Sequence, residues 1–300
     1  MEKRHAYARL TSHVLNFCTG YFHENGFLQL LPVMLSPVTD PLGPDPQSSV
    51  IKTGEIEYLG QRLSLTQSMI LHKQIAVQGG IGRLFILSPN VRLEHPIRAA
   101  SGRHLFEFSQ LDFEIAHAKM EDVFPLVEGL VCGAAESARE KCAGELSEFS
   151  RSLPSFSSPF PCYMTSELSA KYGSDWEHAA SSESKTPFWA ISHKREFYDR
   201  EDPEKPGTYK NYDLIYPEGF GEALSGGERE WEYGRIVSRI GQDRVGKAQF
   251  APYLELAKGG LIPSAGGGIG MERLVRFLSG APHVGDVQLF RRVPGEPVAV

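Results

Sequence analysis

The chain has 300 residues, with 31 Lys and Arg against 37 Asp and Glu and a formal net charge of −6. This length can bury a large core, and the acidic balance argues against an extensive nucleic-acid-binding surface, which usually carries excess basic residues. No apolar run is long enough to cross a membrane, and the N-terminal MEKRHAYARL lacks the apolar core of a secretion signal. We therefore expect a cytoplasmic protein with reduced thiols.

Hydrophobic spacing in the first half predicts alternating helices and strands. In chain order we expect a helix at 7–23, a strand at 27–35, a mobile loop at 36–55, a hairpin at 56–65, a helix at 67–78, strands at 83–94 and 104–115, and a helix at 120–146. Asn25-Gly26 and Gly79-Gly80 end the first two helices, because these residues tolerate the left-handed backbone that follows a helix.

The second half begins with an irregular Ser/Pro-rich stretch at 147–161. In chain order we then expect strands at 187–192, 209–217 and 219–228, a helix at 229–241, a strand at 261–270 and a helix at 271–280. Repeats and linkers are not evident in the sequence. The whole pattern favours a single α+β domain over residues 1–300, an antiparallel sheet flanked by helices.

An R-x-E element at 92–94 ends a strand and is followed by a polar loop and a second strand with an aromatic residue. Arg92 can donate two hydrogen bonds to a phosphate, and Glu94 shares its strand face and can accept from an adenine amino group. Phe108 can stack on a purine. Taken alone, an ordinary salt-bridged hairpin with a core phenylalanine explains this pattern better.

Two glycine-rich elements follow. The run GGGIGMERL leads from a strand into a helix, where Arg273 can meet a triphosphate, and neither a Rossmann G-x-G-x-x-G nor a Walker G-K-[ST] pattern is present. In GEALSGGERE, Glu222 can bind Mg²⁺ and Arg229 can bind a substrate carboxylate. A charged helix start after a glycine turn remains an alternative for the second element.

Taken in order, these elements resemble the signature motifs of class II aminoacyl-tRNA synthetases. The helix ending at Asn25, with Pro32 beyond it, resembles the first motif, which builds the dimer interface in that family. The R-x-E element resembles the second motif and GGGIGMERL the third. RHLFEFSQLDFE and QSMILHKQ are similar to segments of the aspartyl and asparaginyl branch. The resemblance covers nearly the whole chain and implies the class II fold.

The resemblance implies two binding sites and a metal. The ATP site consists of Arg92, Glu94, Arg103, His104, Phe108, Glu222, Gly270 and Arg273, with Arg92 and Arg273 as the catalytic cations. The aspartate site consists of Gln67, Lys73, Gln110, Asp112 and Arg229, and the Mg²⁺ ligands are Glu222 and Asp213. In this interpretation Arg92 binds the α-phosphate, Arg273 the γ-phosphate, and Asp112 and Gln110 the substrate ammonium.

Lys73 and Arg229 are expected to decide the substrate. Two cations around one side chain favour a carboxylate over an amide, because removing one partner of a buried ion pair costs about 3–5 kcal/mol. Asparaginyl enzymes lack a lysine at the Lys73 position, so the resemblance implies an aspartate-like acid. Ile70 and Arg291 depart from the usual aspartyl pattern and leave the fine shape of this pocket open.

Synthetases of this branch carry an anticodon-reading barrel before the first motif, which here begins within the first ten residues. We therefore expect no such domain and tRNA as an unlikely partner. The runs PFWAIS, REFYDRE, NYDLIYP and PSAGGGIGMERLVRF resemble archaeal-type asparagine synthetases. That family implies an aspartate–ammonia ligase, using ATP and Mg²⁺, that makes asparagine and AMP through a β-aspartyl-adenylate, and a homodimer is expected.

Several alternatives stay open. A truncated aspartyl-tRNA synthetase-like enzyme would place aspartate on a macromolecule. An amide ligase could join an aspartate-like acid to another small amine, and the unusual His193 segment leaves this possible. A catalytically dead paralogue is disfavoured because the ATP-site residues remain. The sequence does not decide which carboxylate is activated, and residues 40–55 are expected to act as a lid over the substrate.

Overall fold

The computed structural model describes residues 2–42, 50–242 and 247–298. The described helices are α1 (Glu2–Glu24), α2 (Ile70–Gln78), α3 (Met120–Lys141), α4 (Ala143–Glu148), α5 (Thr165–Tyr172), α6 (Trp176–Glu183), α7 (Tyr233–Gln242), α8 (Ala251–Ala257) and α9 (Met271–Ser279). None of them carries the length of apolar sequence that crossing a bilayer requires.

Thirteen strands are described. They are β1 (Leu28–Gln29), β2 (Leu35–Ser36), β3 (Val50–Lys52), β4 (Glu55–Tyr58), β5 (Gln61–Leu65), β6 (Arg83–Val91), β7 (Leu93–Glu94), β8 (Glu107–Ala116), β9 (Cys162–Met164), β10 (Phe188–Ile191), β11 (Asn211–Tyr216), β12 (Gly221–Glu228) and β13 (Ser264–Gly270). Eight of them form one sheet in the order β1-β6-β8-β13-β12-β11-β10-β9. The interior pairs of this sheet are antiparallel, and the two edge pairs β1–β6 and β9–β10 are parallel.

One face of the sheet is covered by α1, α3 and α9. The apolar residues of α1 recur every four positions, at Leu10, Val14, Cys18 and Phe22, and all four are fully buried. They belong to the main core, which continues through Leu111 and Phe113 of β8 into α3 and α9. Burial of this apolar surface is the main free-energy source for the fold.

Residues of β8 alternate between the two faces, because successive side chains of a strand point to opposite sides. Leu111 and Phe113 therefore enter the main core, and the polar residues between and beside them face the other side, where α2 packs. A second apolar cluster joins α2, α7 and α8 to the segment around Phe197. The polar face of the central sheet is therefore directed toward this second cluster, and the opposite face is directed toward the main core.

The structure confirms the α+β class and the antiparallel sheet. Three local predictions differ from it. The helix expected at 120–146 is interrupted at Cys142, and the strand expected at 27–35 is reduced to β1 and the start of β2. The helix expected at 229–241 begins only at Tyr233, because Arg229 and Glu230 continue in extended form and their backbone amides bond to other segments.

Short helices α5, α6 and α8 were not predicted, because their apolar residues are few and their burial comes from tertiary packing. The hairpin at 56–65 is confirmed, with Leu59-Gly60 in the left-handed region at its turn. Part of the expected lid, residues 43–49, lies outside the described residues. Its flanks are described: Asp40 is buried, and β3 pairs with β7.

Candidate active site

The polar side of the central sheet holds two adjoining cavities. Arg92 and Glu222 line both, together with Gln110 and Gly268 on neighbouring strands. The first, which we name the outer cavity, also contains Glu94, Arg103, His104, Phe108, Gly270 and Arg273. The second, the inner cavity, also contains Asp40, Ile70, Lys73, Asp112, Arg195, Glu196, Tyr198, Asp199 and Arg229. Every residue expected at the ATP site therefore lines the outer cavity.

Arg92 lies at the boundary of the two cavities. Its Nε donates to the backbone oxygen of Gln67 at 3.0 Å, and its guanidinium lies 5.1 Å from the ring centre of Phe108. This cation–π contact fixes both side chains at the cavity wall. Its remaining nitrogens are available to bind a phosphate. Gln67 itself is buried behind Arg92 and is not among the residues that line the inner cavity.

Glu94 follows Arg92 at the edge of the outer cavity. Its side chain is buried, and its Oε2 atom has no hydrogen-bond partner among the described residues. Burial raises the pKa of this carboxyl, against the lowering effect of Arg92 and other arginines. A buried acceptor without a donor beside an aromatic ring suits an amino-substituted heterocycle such as adenine.

Arg273 lies in the first turn of α9, directly after β13. Its Nη1 donates to Glu222 Oε1 at 2.9 Å, and its Nε donates to the backbone oxygen of Arg103 at 3.2 Å. Burial opposes the charge on Glu222, but Arg273, Arg103 and further arginines outweigh it and lower its pKa to about 2. Glu222 is therefore a carboxylate at neutral pH, surrounded by cations that can also receive a triphosphate.

Arg103 and His104 come from the loop before β8. Arg103 forms an ion pair with Glu177 of α6, a residue that the sequence analysis did not identify. Glu177 also accepts a hydrogen bond from the backbone amide of Glu222, so α6 fixes two elements of the outer cavity. Burial, with Arg273 and Arg103 nearby, lowers the pKa of His104 to about 2. His104 is therefore neutral and binds as a hydrogen-bonding group.

Lys73 lies at the base of the inner cavity and is almost completely buried. Its Nζ donates to Asp112 Oδ1 at 2.9 Å, to the Gly267 backbone oxygen at 3.0 Å and to the Phe113 backbone oxygen at 3.2 Å. These three acceptors match the three donors of a lysine ammonium. Lys73 therefore holds Asp112 in place. To bind the substrate carboxylate directly, as expected from the sequence, Lys73 would have to release one of these three acceptors.

Asp112 is an acceptor in the lining of the inner cavity that this arrangement leaves with one unbonded oxygen. Its Oδ2 atom has no hydrogen-bond partner among the described residues, and the residue is only 2% exposed. A Cβ added at Gly268 would lie 3.0 Å from Asp112 Oδ1 and from Gln110 Nε2. The glycine therefore leaves the space beside Asp112 and Gln110 open, as a binding place for an ammonium group requires.

Arg229 extends from the end of β12 and forms a forked ion pair with Glu114 of β8. Nε lies 3.0 Å from Oε1, and Nη2 lies 3.2 Å from Oε2. Its Nη1 lies 3.6 Å from Asp199 Oδ1. Burial opposes the charge on Arg229, but Glu114 and Asp199 outweigh burial and raise its pKa. Arg229 is thus a fixed cation in the lining of the inner cavity.

Arg195 supplies a further cation that the sequence analysis missed. Its Nη1 donates to Asp213 Oδ1 at 2.7 Å and to Ser225, and its Nη2 donates to the Gly226 backbone oxygen. Asp213 also lies 3.3 Å from His193 Nε2. Asp213 was expected to bind Mg²⁺ with Glu222, but it does not line either cavity, and its carboxylate is bound to Arg195 and His193. The structure therefore does not bring these two acids together.

The residues that depart from the aspartyl pattern fall in different places. Ile70 lines the inner cavity, where it supplies an apolar contact. Arg291 lies outside both cavities and forms ion pairs with Asp286 at 2.5 Å and Glu296 at 2.6 Å. Only Ile70 is therefore placed to affect the substrate directly.

The described residues provide one carboxylate, Glu222, for a metal at the boundary of the cavities, and they contain no cluster of three or more His, Cys, Asp or Glu side chains suited to a metal. Mg²⁺ commonly keeps several waters and binds one or two carboxylates together with substrate phosphates. A single ionised carboxylate in a nucleotide cavity fits that mode of binding.

The sheet, its helices and the arginine-lined cavities define a class II synthetase-like ligase. A family model described as tRNA synthetases class II (D, K and N) matches residues 1–294. The chain belongs to this family, whose members are ATP-dependent ligases.

Curated relatives include asparagine–tRNA ligases of Thermococcus gammatolerans, 30% identical over 259 residues, and Thermococcus kodakarensis, 30% identical over 260 residues. In both comparisons the match covers 80% of this chain and 59% of the relative, so the chain spans about three fifths of their length. Because these relatives are tRNA ligases, the expectation that tRNA is an unlikely partner gains no support from them.

Among solved structures, asparaginyl-tRNA synthetase from Pyrococcus horikoshii, complexed with asparaginyl-adenylate, matches with a TM-score of 0.88 and 25% identity. The match covers 100% of this chain and 71% of that chain. The corresponding enzyme of Entamoeba histolytica matches with a TM-score of 0.85 at 23% identity, which supports the fold alone. These comparisons confirm the synthetase core but do not single out a stand-alone asparagine synthetase.

Proposed function

We propose that this chain is an aspartate–ammonia ligase that forms AMP and makes asparagine through a β-aspartyl-adenylate. The observation that carries this proposal is the junction of the two cavities at Arg92 and Glu222. A nucleotide in the outer cavity and an amino acid in the inner cavity would meet there. The reaction class, carboxylate activation by ATP, follows from that meeting point.

The outer cavity supports ATP as the nucleotide. Glu94 and Phe108 would bind the adenine, and Arg92, His104 and Arg273 would bind the phosphates. Mg²⁺ held by Glu222 would neutralise part of the triphosphate charge. Arg92 lies where negative charge develops as a carboxylate attacks the α-phosphate, and fixed cations of this kind contribute strongly to catalysis.

The inner cavity supports an amino acid with a second carboxylate. Its walls carry the cations Lys73, Arg195 and Arg229 together with acids, a mixture that suits a zwitterion bearing an extra carboxylate. Arg229 Nη1 and Arg195 would bind the carboxylate that is not activated, and Asp112 Oδ2 would accept from the α-ammonium. An asparagine amide would place an uncharged group against these arginines, which weakens binding.

The test is to incubate the protein with aspartate, ATP, Mg²⁺ and ammonium and to measure asparagine, AMP and ADP. We expect asparagine and AMP in equal amounts. Formation of ADP would contradict the adenylate, and failure to form asparagine would remove the assignment. Asparagine replacing aspartate as the preferred substrate in pyrophosphate–ATP exchange would contradict the proposed specificity.

A second candidate is aminoacylation of tRNA, which the curated relatives favour because their names describe tRNA ligases. Labelled aspartate attached to tRNA, with none in free amide, would support this candidate over the first. The homodimer remains part of the proposal. The exposed apolar residues Leu28, Leu31 and Met34, which follow α1, offer a surface for it.

A further inference from the structure

One wall of the inner cavity has more acidic groups than an aspartate substrate uses. Asp40, Glu196 and Asp199 line this wall with Tyr198. Asp199 is already bound, because it accepts from Asn211 Nδ2 at 2.7 Å and lies 3.6 Å from Arg229 Nη1. Unlike Asp199, neither Asp40 nor Glu196 forms an ion pair with an arginine or lysine of the described residues, so these two acids remain for a cationic ligand.

Asp40 and Glu196 differ in their partners. Both oxygens of Asp40 accept from the Tyr198 hydroxyl at 3.1 Å, and Oδ1 also accepts from the Leu42 amide at 3.0 Å. The carboxyl group of Glu196 accepts a hydrogen bond from its own backbone amide, has no side-chain partner among the described residues and is only partly buried. It is therefore a carboxyl group at the cavity surface whose acceptors are available.

Asp112 provides an independent sign that this cavity receives a cationic nitrogen. Its Oδ2 atom is buried, lines the same cavity and lacks a donor among the described residues. Leaving a buried carboxylate oxygen without a donor costs free energy that a bound ammonium group restores. The α-ammonium of aspartate fits beside Asp112 and Gln110. The ammonia co-substrate, which is almost entirely ammonium at neutral pH, needs separate acceptors.

The position of Asp40 and Glu196 suits an incoming nucleophile. Both acids line the inner cavity together with Arg92 and Glu222, the residues at which the two cavities meet. Burial raises the pKa of Asp40, and the nearby Arg92 opposes this rise. On the basis of the proposed function, we propose that Glu196 and Asp40 bind ammonium and that Glu196 is the general base that converts it to ammonia.

The proton balance is simple. The Glu196 carboxylate takes one proton from ammonium, and the nitrogen lone pair attacks the β-carbonyl carbon of the aspartyl-adenylate. The new C–N bond forms, the C–O bond to phosphate breaks, and AMP leaves with that electron pair. The proton that the attacking nitrogen then loses goes to the phosphate oxygen of AMP. The reaction uses no oxidant or further reactant.

The surroundings of Glu196 adjust its basicity. Burial, together with the negative charges of Asp40 and Asp199, raises its pKa to about 8, against the lowering effect of Arg195. A general base works best when its pKa is near the working pH. The raised pKa of Glu196 is also closer to the pKa of ammonium than the pKa of an ordinary carboxyl group is. Tyr198 donates a hydrogen bond from its hydroxyl to Asp40 and adds no charge to this group.

The test compares Glu196→Gln with the wild type in three reactions. Aspartate-dependent pyrophosphate–ATP exchange needs no amine and should stay within about twofold. Asparagine formation from ammonium should fall by about 10²-fold or more, the usual contribution of a general base. Aspartyl hydroxamate formation from hydroxylamine, which is already uncharged at neutral pH, should stay close to wild type.

Two further variants complete the design. Tyr198→Phe keeps the ring and removes the hydroxyl, and it should raise the KM for ammonium by a larger factor than the KM for aspartate. Glu204→Gln, at an exposed acid on the next turn, is the matched control and should change nothing. Wild-type protein that makes no asparagine would remove the proposed function and this role together. If the wild type makes asparagine and Glu196→Gln makes it at the same rate, the role of Glu196 alone is overturned. The same conclusion follows if Glu196→Gln loses activity equally with ammonium and with hydroxylamine.

Discussion

Arg229 and Glu114 form a forked ion pair with both partners buried, at 3.0 Å and 3.2 Å. Glu114 also accepts from Ser264 at 2.8 Å and lies 3.8 Å from Lys73. This one carboxylate therefore fixes the cation of β12 to strand β8 and ties both to the base of the inner cavity. Its position links the stability of the central sheet to the shape of the amino-acid site.

Replacing Glu114 with Gln should destabilise the protein because Arg229 would lose its counter-ion in a buried place. Removing one partner of a buried pair costs about 3–5 kcal/mol. We expect the free energy of unfolding in urea to fall by about 3 kcal/mol and the KM for aspartate to rise. Glu145→Gln, which removes a surface pair with Arg9, is the control and should leave both quantities unchanged. A Glu114→Gln protein with wild-type stability would show that the pair is not structural.

Arg92 should be required for adenylate formation itself. Arg92→Ala removes the cation at the cavity junction, and losing one preorganised donor of this kind lowers a rate by about 10²–10³-fold. Pyrophosphate–ATP exchange with aspartate measures this step. Arg62→Ala, at an exposed arginine in the hairpin, should retain full exchange. Exchange by Arg92→Ala at the wild-type rate would move the activation site elsewhere.

Variants of the two acids expected from the sequence to bind Mg²⁺, Glu222 and Asp213, should differ in the Mg²⁺ dependence of exchange. Glu222→Gln should raise the Mg²⁺ concentration that gives half-maximal exchange, because it removes the ionised carboxylate at the nucleotide cavity. Asp213→Asn should leave this concentration unchanged and raise the KM for aspartate, because Asp213 positions Arg195. A Mg²⁺ titration of both variants decides between them, and equal shifts would restore Asp213 as a ligand.

Much of the outer cavity could be predicted because its residues lie in short motifs, where a few neighbouring positions define the chemistry. The inner cavity was harder. Gln110, Asp112 and Glu114 are each two residues apart on β8, so their side chains share one face of the strand. The position of Glu114 could therefore have been predicted from the sequence. Arg195 and Glu177 gave no such signal, because their contacts join segments far apart in the chain.

The separation of Asp213 from the two cavities has the same physical origin. An acid near a magnesium-type motif is compatible with metal binding, but its carboxylate orientation depends on which cations fold against it. Here β11 pairs with β12 so that Asp213 lies opposite Ser225, beside Arg195, and Glu222 lies opposite Ile215. Spacing along the chain does not contain this information.

His104 should make stability depend on pH. Its folded pKa of about 2 lies below its ordinary value of 6.5, so between these values the unfolded chain binds the extra proton. The stability contributed by the neutral ring is fully present above 6.5 and is lost as the pH falls below it. Urea unfolding at several pH values should show a smaller acid loss for His104→Gln than for the wild type. Parallel curves for the two proteins would contradict a neutral buried His104.

Transfer of a heavy oxygen isotope from the β-carboxylate of aspartate tests the central claim most directly. With that carboxylate labelled, and with ATP, Mg²⁺ and ammonium present, mass spectrometry should find one labelled oxygen in AMP for each asparagine formed. This result would mean that the β-carboxylate attacked the α-phosphate at the cavity junction. Label in inorganic phosphate, or AMP labelled only when the α-carboxylate carries the isotope, would contradict the account.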